Sequence, residues 1–145
     1  MAIRATETKV GLLVPPQLKD NGAPSGLTYI DTQGYHHCRI LIVTGTTDIA
    51  TTAAPQVSEC DTTDGQYADI TAAVLADAIS ATEDDGFHAI DVDLTNGTRK
   101  RYLRLDITAG DGTTGMNLCV IGQLSRPTKH PTSATLMGLT ERIDA

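Results

Sequence analysis

The sequence predicts an all-β fold: a single antiparallel β-sandwich or jelly-roll-like domain with extended N- and C-terminal arms and at most one short helix. Three observations predict it. First, residues 86–124 alternate apolar and polar positions in three successive runs. Asn96-Gly97 and Asp111-Gly112 separate these runs, and both pairs tolerate the positive φ of tight hairpin turns. Second, residues 37–44 form a further run, with Cys38, Ile40 and Ile42 on one face and Leu41 and Val43 on the other. Third, hydrophobic residues make up 40% of the chain but aromatics only 3%, with one Phe and no Trp. The core must then be Val, Ile, Leu and Ala, and the abundant β-branched residues suit strands.

At 145 residues the chain is expected to form one domain with a core that needs no disulfide or metal. The expected divisions are 1–14 as an N-terminal arm or edge strand, 15–126 as the β-sandwich, and 127–145 as a C-terminal arm. A net charge of −7 argues against a general nucleic-acid binder, which needs a basic footprint. The 3 cysteines, Cys38, Cys60 and Cys119, make no CxxC pair, and reduced thiols in a cytosolic setting are expected. No apolar run approaches the length of a membrane-spanning helix.

The elements follow in order. Residues 1–8 are polar and read as a loose arm. Residues 9–14 are a short apolar segment, an edge strand or a strand-like tether, stopped by Pro15-Pro16, because proline cannot donate to a ladder. Residues 17–26 read as loop and 27–31 as a short strand. Residues 37–44 are the central strand, and its two apolar faces predict burial between layers. Gly45 to Ala54 is loop, Gln56 to Cys60 a further strand. Residues 69–79 suit a short helix or a helical turn in a loop, with Ile70, Val74 and Ala78 on one stripe.

The register of residues 86–124 can be worked out. A two-residue turn at Asn96-Gly97 sets Val92 opposite Arg101, Ile90 opposite Leu103 and His88 opposite Leu105. The other face then pairs Asp93 with Lys100 and Asp91 with Tyr102. A turn at Asp111-Gly112 sets Ile107 opposite Met116, Leu105 opposite Leu118 and Leu103 opposite Val120. A three-stranded meander with one aliphatic face results. Arg126-Pro127 ends it, and the tail beyond has apolar residues without a clean period, so it reads as an arm ordered against a neighbour.

Catalytic signatures are missing. His36-His37-Cys38 lacks zinc spacing, and alternation puts His37 on the opposite face from its neighbours. Asp61, Asp64 and Glu83-Asp84-Asp85 read as solvated turn carboxylates. No nucleophile elbow and no phosphate loop is present. The basic cluster Arg99, Lys100, Arg101 and Arg104 with Tyr102 admits three readings: a solvated face balanced by Asp91 and Asp93, contact with an acidic protein partner, or nucleic-acid contact.

The run Lys100-Arg101-Tyr102-Leu103-Arg104-Leu105-Asp106-Ile107-Thr108, its Gly/Thr loop, Cys119-Val120-Ile121-Gly122-Gln123-Leu124 and Arg126-Pro127 resemble a group of small tailed-phage structural proteins. Asp31-Thr32-Gln33-Gly34-Tyr35 resembles the entry to that group's central strand. The resemblance covers residues 28–131 and departs from the group's pattern over 46–83. It implies a capsid decoration, or cement, protein that binds the outer capsid surface and bridges capsid subunits. The implied partners are the major capsid protein and further copies of the chain, as a trimer, with no nucleic acid, membrane or cofactor. The implied location is the capsid exterior of the virion, after synthesis in the host cytoplasm. No catalytic residue is carried over. Arg99, Lys100, Arg101, Tyr102, Arg104 and Arg126, with Leu136, Met137, Leu139 and Ile143 from the tail, are the candidate partner-binding residues. A tail or head–tail connector component is the structural alternative, and a carbohydrate-binding β-sandwich module the alternative of another class.

Overall fold

A computed structural model describes residues 7–129, 131, 133 and 135–141. Among these residues eight strands run in chain order: β1 (Thr8–Asn21), β2 (Ile30–Asp31), β3 (Tyr35–Thr47), β4 (Gln56–Cys60), β5 (Ala68–Val74), β6 (Phe87–Asp93), β7 (Tyr102–Asp106) and β8 (Asp111–Pro127). A 3-10 turn follows at Thr135–Met137. The strands form two antiparallel four-stranded sheets, in the orders β1-β8-β3-β6 and β2-β7-β4-β5. Their inner faces close on one aliphatic core that includes Leu13, Ile40, Ile42, Val57, Leu103, Leu105, Met116, Val120 and Leu124. This is the all-β sandwich that the alternation predicts, with alternate residues of β3, β6, β7 and β8 committed to one shared interior.

The pairing inside it differs from the meander. The β6 strand pairs with β3, from His37 opposite Asp93 to Val43 opposite Phe87. The β7 strand lies in the other sheet, between β2 and β4. The β8 strand returns to the first sheet between β1 and β3. Ile90, Val92, Leu103, Leu105, Leu118 and Val120 are all buried as expected. They meet across the sandwich instead of along one sheet. The Asn96-Gly97 segment is correspondingly not a hairpin turn. Gly97 has no positive φ. Instead the Asn96 side-chain oxygen accepts the Thr98 N–H at 3.2 Å and hydroxyl at 3.0 Å, and Asp93 does the same for Thr95 at 2.9 and 2.7 Å. These side-chain turns carry the chain from one sheet to the other.

Three local expectations are corrected. The β1 strand runs through Pro15-Pro16 to Asn21, with register shifts between Leu12 and Val14 and between Val14 and Gln17. It is an edge strand, so the missing proline donors face no partner, and the irregular ladder absorbs them. Residues 68–74 form β5 and not a helix. Ile70 and Ala73 are both buried, and β5 places extra residues between Asp69 and Val74 against β4. Of the stripe Ile70, Val74 and Ala78 only Ile70 is buried, and the irregular strand turns Ala73 inward instead. Finally, the outer face of β3 is not covered by a second layer among the described residues. Leu41 and Val43 are half-buried there, beside Ile121 and Cys119 of β8, while Leu12 is 52% and Phe87 71% exposed.

The tail also differs from a free arm. Met137 is 2% exposed, and the 3-10 turn lies along β1. Gly138, at φ 76°, sits so close to the Val10 carbonyl that a side chain there would collide with it.

Candidate interaction surface

The β7 strand builds the site by simple alternation. Leu103 and Leu105 point inward, so Tyr102, Arg104 and Asp106 point outward from the second sheet. Cross-strand register sets Tyr102 between Asp31 of β2 and Cys60 of β4, and Arg104 opposite Ser58. Tyr29 packs edge-on against Tyr102, with ring centroids 5.2 Å apart. Two guanidinium groups lie over rings: Arg101 over Tyr102 at 5.0 Å and Arg104 over Tyr67 at 4.4 Å. Three tyrosines and two arginines therefore share one outward face.

Carboxylates hold the cations in place. Arg101 makes two parallel hydrogen bonds to Asp31, from Nε at 2.9 Å and Nη2 at 2.8 Å. The Arg101 hydrogen bond holds the Asp31 carboxyl below the usual carboxylate range, against the opposing effect of burial. Arg104 Nη2 reaches Asp106 at 3.0 Å, and the Ser58 hydroxyl donates to the other Asp106 oxygen at 2.5 Å. Burial raises the Tyr67 phenol. Lys100 Nζ is 3.8 Å from Asp61, and Arg99 Nη1 is 3.5 Å from Glu59, whose carboxylate also accepts the Lys100 backbone N–H at 3.0 Å. The expected pairs of Lys100 with Asp93 and Tyr102 with Asp91 do not form, because β6 and β7 lie in different sheets.

The structure does not bring all the candidate residues together. Arg101, Tyr102 and Arg104 join the tyrosine face. Arg126 lies at the far end of β8, at φ 56°, and its charge reaches Asp93. Leu136 and Leu139 are 55% and 37% exposed beside β1, whereas Met137 is buried. Ile143 lies outside the described residues. Tyr29 and Tyr67 were missed, because only the fold carries them to β7. The one available signal was that Tyr29 precedes Ile30, so it must share the outward face if Ile30 points in.

On the outer face of the first sheet, His37 sits 3.1 Å from Ser125 Oγ and 3.2 Å from Asp91 Oδ1. The hydroxyl–imidazole–carboxylate order resembles a nucleophilic relay. Arg39, however, holds both Asp91 oxygens at 2.9 Å, and the group lies on an open sheet face. It reads as an ion-pair network. Among the described residues no group of three or more His, Cys, Asp or Glu is placed to hold a metal ion, and no helix is long and apolar enough to cross a membrane. The chain matches no protein-family model and no curated protein.

Proposed function

We propose that the chain is a capsid decoration protein of a tailed phage, binding the outer capsid surface as an oligomer and bridging capsid subunits. The resemblance of residues 28–131 supplies the class. The observation that carries the reading further is the tyrosine–arginine face of the second sheet. Tyr and Arg dominate the energetic centres of protein interfaces. Here Arg101 and Arg104 are already fixed by Asp31 and Asp106, so little side-chain freedom remains to be lost on docking. The apolar part of the outer face of the first sheet, with Leu12, Leu41, Val43, Phe87 and Ile121, leaves a second surface for contacts between copies.

Co-sedimentation with purified capsids that lack the protein tests this. The wild-type chain pellets with capsids at saturating stoichiometry. Tyr102→Ala and Arg104→Ala each weaken binding about tenfold. A chain that stays in the supernatant at all concentrations overturns the capsid assignment. The gathering of Tyr29, Tyr67 and Tyr102 on one face also favours the carbohydrate-binding reading, since sugar rings stack on aromatics. A glycan-binding screen that scores positive while capsids fail selects it.

A further inference from the structure

The two sheets leave one flank of the sandwich open, between the edge strands β5 and β6. A groove of about 400 Å³ runs there between Asp69, Ile70 and Ala73 of β5 and Asp91, Val92 and Asp93 of β6, with Arg99 also in its lining. Its β6 wall has a definite hydrogen-bonding phase. Thr44 donates its N–H to Gly86 at one end of the ladder, and Leu94 donates to His36 at the other, both at 3.0 Å. The register between them is unbroken. The even-numbered residues Gly86, His88, Ile90, Val92 and Leu94 therefore bond to β3. The N–H and C=O groups of Phe87, Ala89, Asp91 and Asp93 point away from β3, toward the open flank.

We infer that this groove binds an extended, basic polypeptide segment of a partner by strand addition to β6. Asp91 and Asp93 present these groups within the groove, and Phe87 and Ala89 continue the same edge beyond it, a ladder of donors and acceptors about 20 Å long. Buried Ile70, Ala73 and Val92 form an apolar floor for alternate side chains of the incoming strand. With Asp91 held by Arg39, Asp69 and Asp93 still outnumber Arg99 among the charged lining residues, which favours lysine or arginine at the intervening positions. The inference stands apart from the capsid assignment, since it uses none of the tyrosine face.

The test is a titration of the full chain with a capped hexapeptide alternating lysine and valine, followed by amide NMR and hydrogen exchange. The expected result is slowed exchange at Phe87, Ala89, Asp91 and Asp93, with unchanged exchange at Ile90 and Val92. Ala89→Pro removes one edge N–H without touching the β3 ladder, and it abolishes binding. Asp69→Lys, on the opposite wall, weakens binding about fivefold. A glutamate–valine peptide binds at least tenfold more weakly than the lysine peptide. Equal binding of the two peptides, full binding by Ala89→Pro, or no perturbation of the edge amides at millimolar peptide each overturns the inference.

Discussion

At the residue scale, the clearest fit between the sheets is a side chain set into a hollow. Gly11 of β1 and Gly122 of β8 are register partners on the inner face of the first sheet. Ile30 of β2, from the opposite sheet, fills the space above them. A Cβ on Gly122 would come 2.7 Å from Ile30 Cδ1 and one on Gly11 would come 3.3 Å from it. Two glycines in register are costly in strand propensity, and this contact gives the reason for both. Gly122→Ala is therefore expected to destabilise by about 1–3 kcal/mol through overpacking. Ile30→Val, which deletes the offending methyl group, costs about 0.5–1.5 kcal/mol alone. Combined, the two changes cost less than their sum, because the shorter side chain vacates the space that the new methyl needs. Urea unfolding of the four proteins measures the cycle, and strict additivity refutes the hollow.

At the scale of elements, the 3-10 turn turns an expected free arm into part of the fold. Met137 is 2% exposed while its neighbour Leu136 is 55% exposed. Met137→Ala is expected to cost about 2–4 kcal/mol, and Leu136→Ala less than about 0.5 kcal/mol, by urea unfolding. Similar values for the two contradict the docked turn. The sequence could not separate these residues, because a short apolar tail without a period does not say which side chain faces the body. The same limit explains the meander. Alternation correctly marked Ile90, Val92, Leu103, Leu105, Leu118 and Val120 as inward, since period two determines the face. It did not determine the neighbour. Inward residues on facing sheets and on paired strands obey the same pattern, so a two-sheet crossing and a hairpin look alike until the turn is resolved. At Asn96 and Asp93 the side-chain acceptors took the place of a positive-φ turn, and the crossing followed. The candidate site was legible to the same degree. Tyr102 and Arg104 were placed outward by their own strand, whereas Tyr29 and Tyr67 depend on strands whose neighbours were unknown.

At the scale of the molecule, two electrostatic effects oppose one another as pH falls. The chain carries a net charge of −7 at pH 7, so mild acid relieves self-repulsion and favours the compact state. Specific carboxylates act the other way. Asp31 is held below its usual range chiefly by Arg101, and Asp91 chiefly by Arg39. Asp84 is lowered by the Thr47 backbone and hydroxyl donors, Asp93 by those of Thr95, and Asp111 by the backbone N–H groups of Thr114 and Thr113. Each of these groups binds a proton more weakly in the fold than in the unfolded chain. Their stabilisation is complete above the unfolded value near about pH 3.9, and it is lost as pH falls through the lower folded values. Stability is thus expected to hold or rise slightly down to about pH 5 and then to drop steeply below about pH 4. The urea midpoint measured across that range checks the turnover. Asp31→Asn and Asp91→Asn each remove one clamped carboxylate, so each lowers the midpoint at pH 7 and makes the acid limb shallower. If the midpoint instead keeps rising to pH 3 as net charge falls, global repulsion dominates and the clamped carboxylates contribute nothing measurable. If both variants lose stability at pH 7 but keep the wild-type acid slope, the acid transition belongs to other groups, and the ion pairs to Arg101 and Arg39 act only as contacts.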